Sequence, residues 1–298
     1  MTLKALLAAI ALLSVAAPAF AQDGWKLVWS DEFDGDRLDP AKWTRAADCG
    51  GGGNDERQCY DVSPETVWVK DGLLRLTTIK RKTRGLANPW AGPTGPMKTG
   101  DYASGKILTQ GLASWRYGRF EARARVPGGQ GVWPAIWMMP ELSTYGGWPK
   151  SGEIDILETV NLGAPCERCE GGRENRIFGT IHFAGDAAGT HKQVSTGAPM
   201  PASADGFHVY GVEWTPEAIT WFVDGQQYAQ AKAADWKRDD QEPEEKGGGP
   251  APFDQPFHLI LNLAFGGRWP EGANAKGIDE TALPATMEVD WVRVSQRP

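Results

Sequence analysis

Residues 119–126 read RFEARARV and alternate apolar and charged side chains without a break. Phe120, Ala122, Ala124 and Val126 fall on one face, and Arg119, Glu121, Arg123 and Arg125 on the other. A strand has a side-chain period of two, so this pattern predicts a half-buried strand. No stretch after the first twenty or so residues keeps a helical period. Short β-type runs recur instead, separated by Gly, Pro and Asn. Residues 73–79 (LLRLTTI) form one, and residues 287–294 (MEVDWVRV) close the chain as another. Residues 257–264 (FHLILNLA) are almost wholly apolar, which predicts a strand buried on both faces. Residues 219–223, then Asp224-Gly225, then Gln226 onward predict a hairpin with a two-residue turn. Many short strands with regular turn signals predict an all-β fold, a sandwich or a barrel.

The chain begins with Lys4, an apolar run over 5–17, Pro18 and then Ala19-Phe20-Ala21. This is the grammar of a secretory signal peptide over 1–21, with the mature chain from Gln22. An uncleaved membrane anchor is the rival reading, although the run is short for a permanent span. The expected destination is secreted or periplasmic, with no membrane partner for the mature chain. A formal net charge of −7 and the lack of any basic block argue against nucleic acid as a partner. Two segments, 86–99 and 235–255, are rich in Gly and Pro and read as loops. The second could be a linker, but the segment after it is too short for a stable independent domain. One domain over 22–298 is therefore expected, within the size that all-β domains of about 250 residues reach.

Four cysteines fall into two local couples, Cys49/Cys59 and Cys166/Cys169. Export makes disulfides possible, and local pairing is the simplest of three connectivities. Zinc at Cys166-x-x-Cys169 is the alternative. The chain also holds 14 tryptophans. Flat indoles stack on the C–H faces of sugar rings, but they also serve as ordinary core residues.

Residues 152–158 read GEIDILE. In a regular strand Glu153 and Asp155 share a face, while Glu158, five positions after Glu153, points the other way. A β-bulge near 156–157 would absorb the odd residue and return Glu158 to the face of the other two. Crowded carboxylates cannot all ionise easily, so one would stay protonated as an acid. Two carboxyls about 5–5.5 Å apart are what retaining glycoside hydrolysis requires. A solvated acidic face is the plainer reading, but Trp133, Trp137 and Trp148 within the preceding twenty residues favour a polysaccharide cleft.

The E-[ILV]-D-x-x-E pattern resembles the signature of glycoside hydrolase family 16, in its bacterial endo-β-1,3-glucanase (laminarinase-like) branch. The resemblance extends over most of the chain. It includes LVWSDEFDG (27–35), LDPAKW (38–43), NDERQCY (54–60), YGRFEARARVP (117–127), GVWPAIWMMP (131–140), GTIHF (179–183), FHVYGVEW (207–214), WFVDGQ (221–226) and PFHLILNLAFGGRWP (256–270). It implies a β-jelly-roll sandwich of two antiparallel sheets with a concave cleft, and a monomeric enzyme cleaving β-1,3-glucan or mixed β-1,3/1,4-glucan by double displacement. Agarose, carrageenan or a galactan is the alternative substrate, a glucan transglycosidase is a chemically close alternative activity, and a non-catalytic β-glucan-binding protein is the alternative of another class. The resemblance makes Glu153 the nucleophile, Glu158 the acid/base and Asp155 the group that tunes the nucleophile. It implies substrate contacts at Trp133, Trp137, His182, Asn54, Glu56 and Trp269. Asp55, Arg57 and Cys59 depart from the family's N-x-E-x-Q-x-Y loop, and Lys106 stands where many members carry arginine. No cofactor is implied for catalysis. A structural calcium is implied at Glu32, the Gly72 carbonyl and Asp290, with ordinary surface acids as the plain alternative.

Overall fold

The structure is a computed structural model that describes residues 24–89, 94–185, 189–203, 206–236 and 250–298. The expected leader (1–21) and the middle of the 235–255 loop lie outside the described residues. The strands, in chain order, are β1 Lys26–Asp31, β2 Thr44–Arg45, β3 Gln58–Tyr60, β4 Val67–Lys70, β5 Leu73–Leu86, β6 Met97–Ser104, β7 Lys106–Leu108, β8 Gly118–Arg125, β9 Val132–Pro140, β10 Glu153–Glu158, β11 Arg176–Ala184, β12 His191–Pro199, β13 His208–Trp214, β14 Ala218–Val223, β15 Gln226–Lys232, β16 Phe257–Phe265 and β17 Ala285–Gln296.

They form two sheets. The ten-stranded sheet runs β15-β14-β13-β8-β17-β5-β6-β3, with β1 also on β17 and β4 also on β5. The seven-stranded sheet runs β12-β11-β10-β9-β16-β7-β2. Pairing within both is antiparallel among the described strands, apart from β3 on β6. The RFEARARV strand is β8, and its burial alternates as its sequence does. Phe120, Ala122 and Ala124 enter the core with Trp214, Tyr210 and Val292. Burying such side chains removes apolar area from water at about 25 cal/mol per Å². The charged face of β8 stays outside, where Arg119 pairs with Glu121 and Glu213, and Arg123 with Asp290. FHLILNLAF is β16, buried at all positions as its apolar run requires.

Two hairpins show how the turns are encoded. Asp224-Gly225 joins β14 to β15 with φ of 49° and 75°, and Asp71-Gly72 joins β4 to β5 with φ of 57° and 73°. Two successive left-handed residues make the turn whose twist matches the flanking strands, and Asp-Gly tolerates it. The expected loop over 86–99 is shorter than predicted. β5 runs on to Leu86 and β6 starts at Met97, so strand pairing continues into a segment whose Gly and Pro content suggested a loop.

Candidate active site

Asp155 of β10 lies opposite Trp137 on β9, and Leu157 lies opposite Ile136. Two steps on β10 thus match one step on β9, which is a bulge. Toward β11, Asp155 faces Thr180 and Glu158 faces Phe178. Residues directly opposite share a face of the sheet. Glu153, Asp155 and Glu158 face His182, Thr180 and Phe178, all even-numbered on one strand. Asp155 and Glu158 face Trp137 and Ala135, both odd-numbered on the other. All three acids therefore project from one face, turned away from the ten-stranded sheet, as the bulge predicted. Ile154, Ile156 and Leu157 remain in the core.

The bulge is fixed from behind. The Trp221 indole N–H on β14 donates to the Asp155 carbonyl oxygen at 2.8 Å. A Cβ at Gly179 would lie 2.3 Å from the Trp221 ring, so the glycine of GTIHF makes room for that indole. Gly152, with φ of +83°, starts the strand where a side chain would meet Phe253.

Each glutamate has an indole partner. The Trp133 N–H donates to Glu158 Oε1 at 3.0 Å, and the Trp148 N–H donates to Glu153 Oε2 at 2.7 Å. His182 Nε2 lies 3.1 Å from Asp155 Oδ2 and 3.9 Å from Glu153 Oε1. The Asp155 approach is an ion-pair contact without hydrogen-bond alignment. A carboxyl oxygen of Glu153, one of Asp155 and a ring nitrogen of His182 lie within 4.8 Å of one another. Burial, and then the Asp155 charge, push the Glu153 carboxyl up to about 8, against the pull of His182 and Trp148. Burial lifts Asp155 to about 7, and its hydrogen bond with Glu153 opposes the rise. Burial and the nearness of the two carboxyls thus favour a proton on this pair. Glu158 is held well above the ordinary carboxylate range by burial and then by the charge of Asp155. Burial and like charge thus favour its protonated form.

The other expected contacts separate into open and closed positions. Trp137 is half-buried, and its N–H donates to Asn262 Oδ1 at 2.6 Å. Asn262 donates to the Tyr60 hydroxyl at 3.0 Å. Tyr60 reaches Glu56 Oε2 at 3.4 Å, where Gln58 also donates at 2.6 Å. Glu56 is buried, and a Cβ at Gly52 would lie 2.0 Å from its Oε1. Its carboxyl lies under the glycine loop and supports Tyr60. Asn54 sits at the exposed rim and donates to the Gly52 carbonyl at 3.3 Å. Trp133 is also buried, and its indole N–H is engaged by Glu158. Trp269 is half-buried and packs edge-on against Trp133 at 5.3 Å and Phe178 at 5.2 Å. Lys106 pairs with Asp48 at 3.2 Å and lies over the Tyr60 ring at 4.4 Å.

Two neighbours of the acids were not assigned a role from sequence. Trp148 belongs to the loop before β10, and its GGWP setting was the available signal. His191 starts β12, and its Nε2 lies 2.8 Å from His182 Nδ1. No local motif marks it.

Both local cysteine couples are disulfide-bonded, Cys49–Cys59 and Cys166–Cys169, which removes the zinc alternative at the second. The calcium expectation meets a different outcome. Both Glu32 oxygens accept from Arg293, at 3.0 and 2.8 Å, and Asp290 Oδ2 accepts from Arg123 at 2.8 Å. As placed, these carboxylates face guanidinium groups, and the set does not fit a calcium ion. Gly72 is accounted for by its turn.

With this geometry in place, comparison with known proteins is informative. The family model described as "Beta-porphyranase A-D, GH16 domain" matches residues 25–296. A protein named beta-glucanase from Rhodothermus marinus is 39% identical over 281 residues, covering 91% of this chain and 85% of its own length. A glucan endo-1,3-beta-glucosidase from Cryptopygus antarcticus is 38% identical, covering 94% of this chain and 96% of its own. The X-ray structure of the Rhodothermus marinus laminarinase superposes with a TM-score of 0.71 at 39% identity, covering 92% of this chain and 98% of that one. The two-sheet architecture is the jelly roll of these laminarinases, and the chain belongs to glycoside hydrolase family 16.

Proposed function

We propose that the chain is an endo-acting, retaining hydrolase of β-1,3-glucan, with mixed β-1,3/1,4-glucan as a second substrate. One observation carries the reading: the bulge in β10 puts Glu153, Asp155 and Glu158 on a single face, with an indole donor on each glutamate. Glu153, steadied by Trp148, attacks the anomeric carbon. The bond from that carbon to the leaving oxygen breaks, and Glu158 gives its proton to that oxygen. Glu158 then takes a proton from water, the water oxygen attacks the anomeric carbon, and Glu153 is released. For the attack the shared proton must rest on Asp155, and His182 beside the pair favours the ionised nucleophile. The names of the relatives, beta-glucanase and glucan endo-1,3-beta-glucosidase, support glucan as the substrate.

A galactan is the second reading, favoured by the porphyranase description of the matching family model. A purely glucan-binding role accounts poorly for two glutamates on one face with Asp155, each held by an indole donor. Export to the periplasm or the medium is part of the proposal, supported by the leader-like start and the two disulfides. So is action as a single chain. Incubation with laminarin, lichenan, agarose and porphyran, with reducing ends measured, tests the substrate. Release from laminarin is expected, and release from the galactans alone would replace the glucan reading.

A further inference from the structure

The most informative unassigned group is His191. Its ring stacks on His182 with centroids 5.0 Å apart and planes 26° apart, and it lies 4.9 Å from the Trp148 ring. It therefore touches both side chains that reach the Glu153/Asp155 pair, while touching neither carboxyl itself. We propose that His191 is a positioning residue that fixes the tautomer of His182 and stabilises its cationic form beside Glu153.

His182 Nε2 faces two carboxyl oxygens, at 3.1 and 3.9 Å, so that nitrogen carries a hydrogen. His182 Nδ1 and His191 Nε2, 2.8 Å apart, then have one hydrogen between them. When His182 is neutral, His191 donates it. When His182 is cationic, Nδ1–H donates to His191, and that charge-assisted bond is the stronger of the two. The pair thus favours the imidazolium over the neutral ring. Burial and the His182 charge hold His191 below the ordinary histidine range, which suits it as the acceptor. Among the described residues, the titratable groups facing the pair are Glu153 and Asp155, with Glu158 beyond them. Trp148 is uncharged, and strand alternation sends Lys192 to the other face of β12.

His191 is exposed on an edge strand, so its variants should fold. In His191→Leu, His182 loses its acceptor, and Glu153 loses its cationic neighbour at higher proton concentration. The acid limb of kcat/KM on laminarin should move up by about 0.5–1 pH unit. His191→Gln, whose amide oxygen can accept from Nδ1–H, should restore most of the wild-type profile. In parallel, ring-nitrogen NMR of the whole protein should show the His182 midpoint falling in the leucine variant and recovering in the glutamine variant. An unmoved His182 midpoint overturns the proposal, as does a lower kcat with an unchanged pH profile. The kinetic arm rests on the glucanase reading. The NMR arm does not, so absence of laminarin turnover in the wild type would count against that reading alone.

Discussion

The indole N–H of Trp133 donates to Glu158 Oε1 across 3.0 Å from within a buried cluster of Val160, Ala264 and Trp269. This bond is strongest when Glu158 is ionised, the state in which it must take a proton from water. A hydrogen bond to a charged group contributes about 1.5–3 kcal/mol. Trp133→Phe keeps much of the packing and removes the donor. A fall in kcat of about 10- to 100-fold is expected, with the alkaline limb of the pH profile displaced upward. Steady-state kinetics across pH checks this, and an unchanged kcat would detach Trp133 from the chemistry.

The bulge makes a prediction about chain length. Deleting Ile156 turns EIDILE into EIDLE, in which regular alternation alone keeps all three acids on one face. Inserting one residue after Ile156 also makes the spacing even, but it carries Glu158 two residues, about 7 Å, farther from Glu153 along the strand than the deletion does, beyond reach of a shared bond. The deletion should retain measurable hydrolysis despite the loss of a buried side chain, and the insertion should abolish it. Equal inactivity in two folded variants would argue that the bulge does more than restore phase.

Crowding three acids should affect stability. Burial holds the Glu158 carboxyl well above its ordinary 4.5 in the fold, whereas the unfolded chain releases that proton near 4.5. The folded state therefore binds more protons between these values, and stability falls as pH rises through that window. Glu158→Gln removes the most strongly raised acid and leaves an oxygen to accept from Trp133. Its melting temperature should exceed the wild type's by several degrees at pH 8, and the difference should vanish near pH 4. Calorimetry at the two pH values checks both parts.

The relay behind Trp137 predicts a binding effect. Asn262 holds the indole N–H at 2.6 Å and is itself held by Tyr60. Asn262→Leu leaves Trp137 without its acceptor and free to reorient. If Trp137 stacks on sugar, KM should rise about 3- to 10-fold with little change in kcat, as expected for loss of uniform binding. An unchanged KM would assign Trp137 to packing.

Much of this was legible in the residues. Alternation identifies β8, Asp224-Gly225 identifies the β14–β15 hairpin, and the mismatched spacing of Glu158 identifies the bulge. What stayed hidden depends on contacts across the sheet. His191 lies nine residues from His182, on the next strand, and only pairing brings them together. Glu56 is assigned to the cleft through the resemblance alone, and its residue type does not show that the glycine loop folds over its carboxyl. Glu32 and Asp290 have the residue types for calcium, yet the arginines that engage them lie on other strands or positions that spacing does not reveal.

The central claim is that Glu153 attacks and Glu158 exchanges protons, so that two inversions leave the anomeric configuration unchanged. Proton NMR of laminarin hydrolysis at early times tests this most directly. The β-anomer of the new reducing end should appear first and mutarotate afterwards, whereas first appearance of the α-anomer would contradict the account.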